Sequence, residues 1–155
     1  MECKRVVQEI LKTDTKFKSA DEALASLKES VKKNPLLVLS AINALNNWDY
    51  NSFEKEWIQM MKTVNSLKTD DAKVIVTTIY NPAGNMKLPS TLNKIVEDII
   101  ENMNAIIEKR AGKYDYEVAD VYQSSVTSHL QKDGVHPDFQ GQQIIADLVC
   151  KEYEK

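Results

Sequence analysis

One stretch limits the possible folds of this chain more than any other. Residues 91–111 place Leu92, Ile95, Val96, Ile99, Ile100, Met103, Ile106 and Ile107 at helical spacing without a break, which predicts a long amphipathic helix. Ser90 stands where a cap is needed and Gly112 where the helix would end. On each side lies a short run that reads as a strand: residues 73–79, with Val74, Ile75, Val76, Thr77 and Thr78, and residues 116–121. Strand, helix, strand is the pattern of a parallel pair, because parallel neighbours must be joined by a long crossover. The expected class is therefore α/β, with βαβ units, a parallel sheet and right-handed connections. Packing on that sheet accounts for the apolar stripe; a partner helix across a dimer would use the same regularity.

The chain before this unit is less decisive. Residues 3–12 carry Val6, Val7, Ile10 and Leu11 in a run brief enough for helix or strand. Ala23, Leu24, Leu27 and Val31 predict a helix from a cap at Ser19 or Asp21 to about Lys33, stopped by Asn34 and Pro35, since proline disfavours helix in the residue before it. Residues 36–40 are almost wholly apolar and read as a strand buried on both faces. Asn51 with Glu54 resembles a capping box. It would open a helix to about Lys68 that buries Phe53, Trp57, Met60, Met61 and Val64. Tyr80, Asn81 and Pro82 read as a turn. A short polar helix or loop is expected through Gln123 to His129.

A length of 155 residues suits a single domain spanning 1–155. The net charge of −3 argues against a nucleic-acid surface and leaves no polybasic membrane patch. Cys3 and Cys150, at opposite ends, make neither a disulfide framework nor a metal motif. No apolar run is long enough for a signal peptide or a membrane span, so a cytoplasmic, reducing compartment is expected. The Gly-rich loops that cradle phosphates are missing, and no cofactor is expected.

The chemistry concentrates in Lys132-Asp133-Gly134-Val135-His136-Pro137-Asp138-Phe139-Gln140-Gly141. Gly134 and Pro137 make this a loop, and a helix follows from near Asp138 through Ile144, Ile145, Leu148 and Val149. In such a loop Asp133 can accept a hydrogen bond from the ring of His136 and hold one tautomer, the orienter-and-base arrangement of nucleophilic hydrolysis. The same two side chains could begin a metal site, but a third ligand at suitable spacing is lacking and His129 is the only other histidine.

Asp133-Gly134-Val135-His136-Pro137, with Gly141 and the helix carrying Ile144, Ile145, Ala146 and Asp147, resembles the C-terminal block of the SGNH (GDSL) hydrolases. These are serine esterases and acylhydrolases with a three-layer α/β/α, flavodoxin-like fold. The resemblance implies that Asp133 and His136 are the catalytic Asp and His, with His136 the base and Asp133 its orienter. Residues 74–82 look like the family's penultimate strand. Residues 36–45 look like the strand and turn of its Gly-x-Asn-Asp block, which makes Asn43 the oxyanion donor, although Ala41 and Ala44 stand where the family has glycine and aspartate.

No Gly-Asp-Ser, the family's nucleophile motif, occurs in the chain, and no glycine lies in 17–20 to serve as the oxyanion glycine. The chain thus resembles a flavodoxin-like sheet without its first strand, whether by truncation or by degeneration. Removing that strand would unpair residues 36–40, and an exposed apolar edge templates pairing with another chain, so either a homodimer or repacking of the N-terminal segment onto that edge is expected. Ser40, Ser124, Ser125 and Ser128 are the candidate surrogate nucleophiles, none on a strand-to-helix elbow. Two functions follow: a lipase/acylhydrolase-like protein acting on a small ester or acyl substrate, impaired for want of the serine, or a non-catalytic dimerisation module that keeps the fold.

Overall fold

The computed structural model describes residues 36–85 and 89–155, together with Ala25, Ser26, Glu29 and Lys33. The readings made for residues 3–24 lie outside the described residues. Ala25, Ser26, Glu29 and Lys33 are helical, in keeping with a helix reaching Lys33. In order, the fully described elements are α1 (Leu36–Asn46), α2 (Tyr50–Leu67), β1 (Ile75–Thr77), a 3₁₀ turn (Pro82–Asn85), α3 (Ser90–Tyr114), β2 (Glu117–Ala119), a second 3₁₀ turn (Ser125–Ser128) and α4 (Phe139–Tyr153).

The expected βαβ unit is present. β1 and β2 pair in parallel, with Ile75 opposite Glu117, Val76 opposite Val118 and Thr77 opposite Ala119, and α3 is the crossover between them. The class is α/β, but the sheet has two strands among the described residues. Residues 36–40 are the main correction: they are helical, not a strand. A short apolar run does not discriminate strand from buried helix. Here it continues into Ala41, Ala44 and Leu45, strong helix formers, and the element reaches 11 residues. α1 packs on α3, with Ile42 and Leu45 half-buried and Leu39 exposed. The apolar strand edge expected at residues 36–40 therefore does not form.

Smaller differences lie at the helix ends. The cap of α2 is Asp49, whose side chain accepts from the Ser52 backbone N–H, not Asn51. Ser90 is the first helical residue of α3, after Pro89, and makes no side-chain cap. Gly112 lies inside α3, which runs on to Tyr114 and ends at Asp115 in a left-handed conformation, φ 52°. Asn65 of α2 donates to the Tyr114 carbonyl at 2.7 Å, satisfying a carbonyl that the helix end leaves open. That tertiary bond, with the αL turn at Asp115, carries the helix past the glycine.

The core lies between α2, α3 and one face of the strand pair. Met61, Ile107, Tyr114 and Tyr116 are buried together, with Phe53, Trp57, Val64, Val76 and Val118 packed around them. The Tyr116 hydroxyl accepts from Trp57 Nε1 at 3.0 Å and donates to the Ile107 carbonyl, so the buried phenol is satisfied in both roles. Arg110 on α3 donates twice to Glu54 Oε1 on α2, at 2.6 and 2.8 Å. α4 packs against both strands.

Candidate functional site

The C-terminal end of β1 is where the sequence-predicted pair is held. In the ladder, Glu117 N–H donates to the Val74 carbonyl and Thr78 N–H to the Ala119 carbonyl. Alternate residues of a parallel strand bond to one neighbour. Val74, Val76 and Thr78 thus point their backbone groups at β2, while Ile75, Thr77 and Ile79 point theirs away. Ile79 is nonetheless fully paired. Its N–H donates to Asn104 Oδ1 at 2.7 Å and its carbonyl accepts from Asn104 Nδ2 at 2.9 Å. Asn104, only 5% exposed on α3, thus stands in for a neighbouring strand. The Thr78 hydroxyl adds a second tie, donating to Asp120 Oδ1 at 3.1 Å and accepting from the Tyr122 backbone N–H at 2.8 Å.

The loop between the second 3₁₀ turn and α4 closes on itself. Leu130 and Pro137 form an antiparallel bridge, Gln131 N–H donates to the His136 carbonyl at 2.8 Å, and Asp138 N–H to the His129 carbonyl at 2.9 Å. Gly134 takes φ 71° at the tip, a conformation that glycine adopts without Cβ strain. Asp138 then caps α4 through its bond from Gly141 N–H, as its position before the apolar run suggests. Gly141 is buried against the loop: a Cβ there would lie 2.5 Å from the His129 carbonyl oxygen. This close approach is the physical role of the glycine in the sequence block.

Within that loop Asp133 and His136 meet as expected. His136 Nδ1 lies 2.6 Å from Asp133 Oδ2. The other carboxylate oxygen accepts from the backbone N–H groups of Val135, at 2.9 Å, and His136, at 3.0 Å. The bond from His136, followed by the two backbone bonds, holds the Asp133 carboxyl down at about 2. At neutral pH it is a carboxylate and can only accept, so the proton between them sits on Nδ1. In the neutral tautomer that this bond favours, Nε2 is the acceptor nitrogen. The pair is open to solvent, with the His136 side chain 72% exposed.

No hydrogen bond joins the pair to the remaining predicted positions among the described residues. Asn43 is an exposed residue of α1, and its carbonyl and Oδ1 accept from Asn47 Nδ2 at 2.7 and 3.2 Å. Ser124 caps the second 3₁₀ turn, donating to the Val121 carbonyl at 2.7 Å and accepting from Val126 N–H at 3.2 Å. Ser125 and Ser128 are exposed residues of that turn, and Ser40 lies on α1. His129 is half-buried and ends the turn. No three His, Cys, Asp or Glu side chains converge as a metal site among the described residues, and no helix there is long and apolar enough to cross a membrane.

Two residues of this region escaped the sequence reading. Asn104 breaks the apolar face of α3 between Ile100 and Ile107, and a lone amide in a buried stripe is a signal for a specific hydrogen-bond role. Tyr80 donates from its hydroxyl to the Val135 carbonyl at 2.5 Å; nothing local in sequence announces a contact over 55 residues. Compared with known proteins, the chain matches no family model, no curated protein and no solved structure.

Proposed function

We propose that this protein is an SGNH (GDSL)-like hydrolase in which Asp133 orients His136 as a general base for attack on a small ester or acyl substrate. One observation carries the reading: a solvent-accessible imidazole bonded through Nδ1 to a carboxylate at 2.6 Å, in a loop tied to the C-terminal end of a parallel strand. Ligand sites of parallel α/β sheets form at that end, and an Asp-held imidazole with free Nε2 is the base of Ser-His-Asp hydrolysis. The proposal extends to the family's three-layer α/β/α arrangement, of which β1, α3, β2 and α4 would be the C-terminal part. Asn43 is proposed as oxyanion donor only on the strength of the sequence resemblance.

No serine elbow accompanies the pair among the described residues. Without a nucleophile, the base can activate water, a contribution of about 10²–10⁴ in rate. The test is hydrolysis of a short-chain p-nitrophenyl ester by the full chain and by His136→Ala, with labelling by a serine-reactive organophosphonate. Hydrolysis lost in His136→Ala supports the base; labelling adds a surrogate serine, and the labelled peptide identifies it. Rates equal in the two proteins, with no label, overturn the proposal.

A second reading, a non-catalytic homodimer module, draws on β1. The outward backbone groups of Ile75 and Thr77 form no hydrogen bond among the described residues, and an open strand edge can pair with a second chain. This edge replaces the one expected at residues 36–40.

A further inference from the structure

The peptide unit joining Val135 to His136 is held from both sides. Its N–H donates to Asp133 Oδ1 at 3.0 Å. Its carbonyl accepts from the Tyr80 hydroxyl at 2.5 Å. Asp133 belongs to the same loop, so its bonds fix the loop only relative to itself. Tyr80 belongs to a different part of the fold, directly after Ile79, whose backbone is locked to α3 by the buried Asn104 amide. A continuous line therefore runs from α3 through Asn104, Ile79 and Tyr80 to the peptide that bears the imidazole.

We propose that Tyr80 is the positioning residue of the Asp133–His136 pair: its hydroxyl anchors the 135–136 peptide to the end of β1 and thereby holds the ring of His136 in register with Asp133. The four-residue turn has a glycine at its tip and leaves the imidazole 72% exposed, with little side-chain packing to keep the ring in place. A hydrogen bond from a neutral phenol to a peptide carbonyl supplies direction without adding charge beside the carboxylate. Burial and the nearby Asp133 charge both raise the Tyr80 pKa above the ordinary 10.0, so the phenol stays protonated and keeps its donor through neutral pH. The role assigned to Tyr80 rests on the hydrolase reading of the pair, but its effect on the ring can be read without any substrate.

The experiment is long-range ¹H–¹⁵N NMR of the neutral His136 ring in the full chain, comparing the parent with Tyr80→Phe. In the parent, the two ring nitrogens should show the widely separated shifts of an Nδ1–H tautomer. In Tyr80→Phe, which keeps the ring and removes the hydroxyl, they should move toward the Nε2–H form favoured by a free side chain. The Asp133 carboxyl, followed by ¹³C, should rise from about 2 toward 3.8. Thr78→Val, which cuts another tie at the same strand end, serves as control and should leave both readouts in place. If Tyr80→Phe keeps the parent's tautomer and Asp133 titration, the proposal is overturned.

Should Tyr80→Phe not fold, the unmodified protein answers the same question. Raising the pH through the Tyr80 ¹³Cζ midpoint converts the donor to a phenolate, and the His136 shifts should move with that midpoint. Shifts that stay flat across it overturn the proposal. Neither readout depends on ester hydrolysis, so an inactive protein with a Tyr80-dependent tautomer would sink the functional reading alone.

Discussion

At the scale of single residues, this structure turns on backbone positions with little room. Gly141 is one of them. It opens α4 where the helix passes against the loop, and an added Cβ would meet the His129 carbonyl oxygen at 2.5 Å and Pro137 Cβ at 2.9 Å. Neither atom is the far end of a flexible side chain, so the helix and loop must move apart. Gly141→Ala should therefore destabilise by about 1–3 kcal/mol, the usual cost of overpacking, despite alanine's better helix propensity. Urea unfolding checks this; a midpoint equal to or above that of the parent would contradict it. The glycine was legible in the sequence as part of a block, but its reason was not, because the clash partner is set by tertiary contact. The Asp133–His136 pairing was legible, since a four-residue turn with a glycine inside it brings the two side chains within reach of each other. Tyr80 was not, because its partner lies 55 residues away.

At the scale of elements, the helices and strands show where local pattern was enough. α3 was predictable because its apolar period is long and unbroken, and β1 and β2 because short β-branched or aromatic runs flank it. α1 was misread because five apolar residues satisfy both templates; the deciding information lay in the alanines that follow and in the face of α3 on which α1 packs. The end of α3 was misplaced because Gly112 is a local signal, whereas the Asn65 bond to the Tyr114 carbonyl is a tertiary one. The joint between α3 and β1 rests on Asn104. Asn104→Leu keeps the volume and removes both bonds to Ile79, leaving a partly buried N–H and carbonyl unpaired. The expected loss is about 1–3 kcal/mol, seen in chemical unfolding as a lower midpoint with an unchanged slope. An unchanged midpoint would mean that the Ile79 backbone finds water or another partner.

At the scale of the whole molecule, the homodimer reading turns on the outward edge of β1, whose Ile75 and Thr77 backbone groups form no hydrogen bond among the described residues. If that edge pairs with a second copy, sedimentation should show a dimer. Thr77→Pro should then return it to monomer, because the outward N–H of Thr77 takes no part in the β1–β2 ladder and proline there removes that donor. A parent that sediments as a monomer across micromolar concentrations would exclude the dimer. The sequence by itself determined the βαβ core and the Asp133–His136 loop, because hydrophobic period and short-range turn chemistry act over a few residues. Only the tertiary structure decided that residues 36–46 are helical, that Asn104 replaces a strand beside Ile79, and that Tyr80 reaches the His136 peptide. Each of these depends on a partner brought close by folding, and a buried hydrogen bond or helix face has no meaning in the chain until that partner is in place.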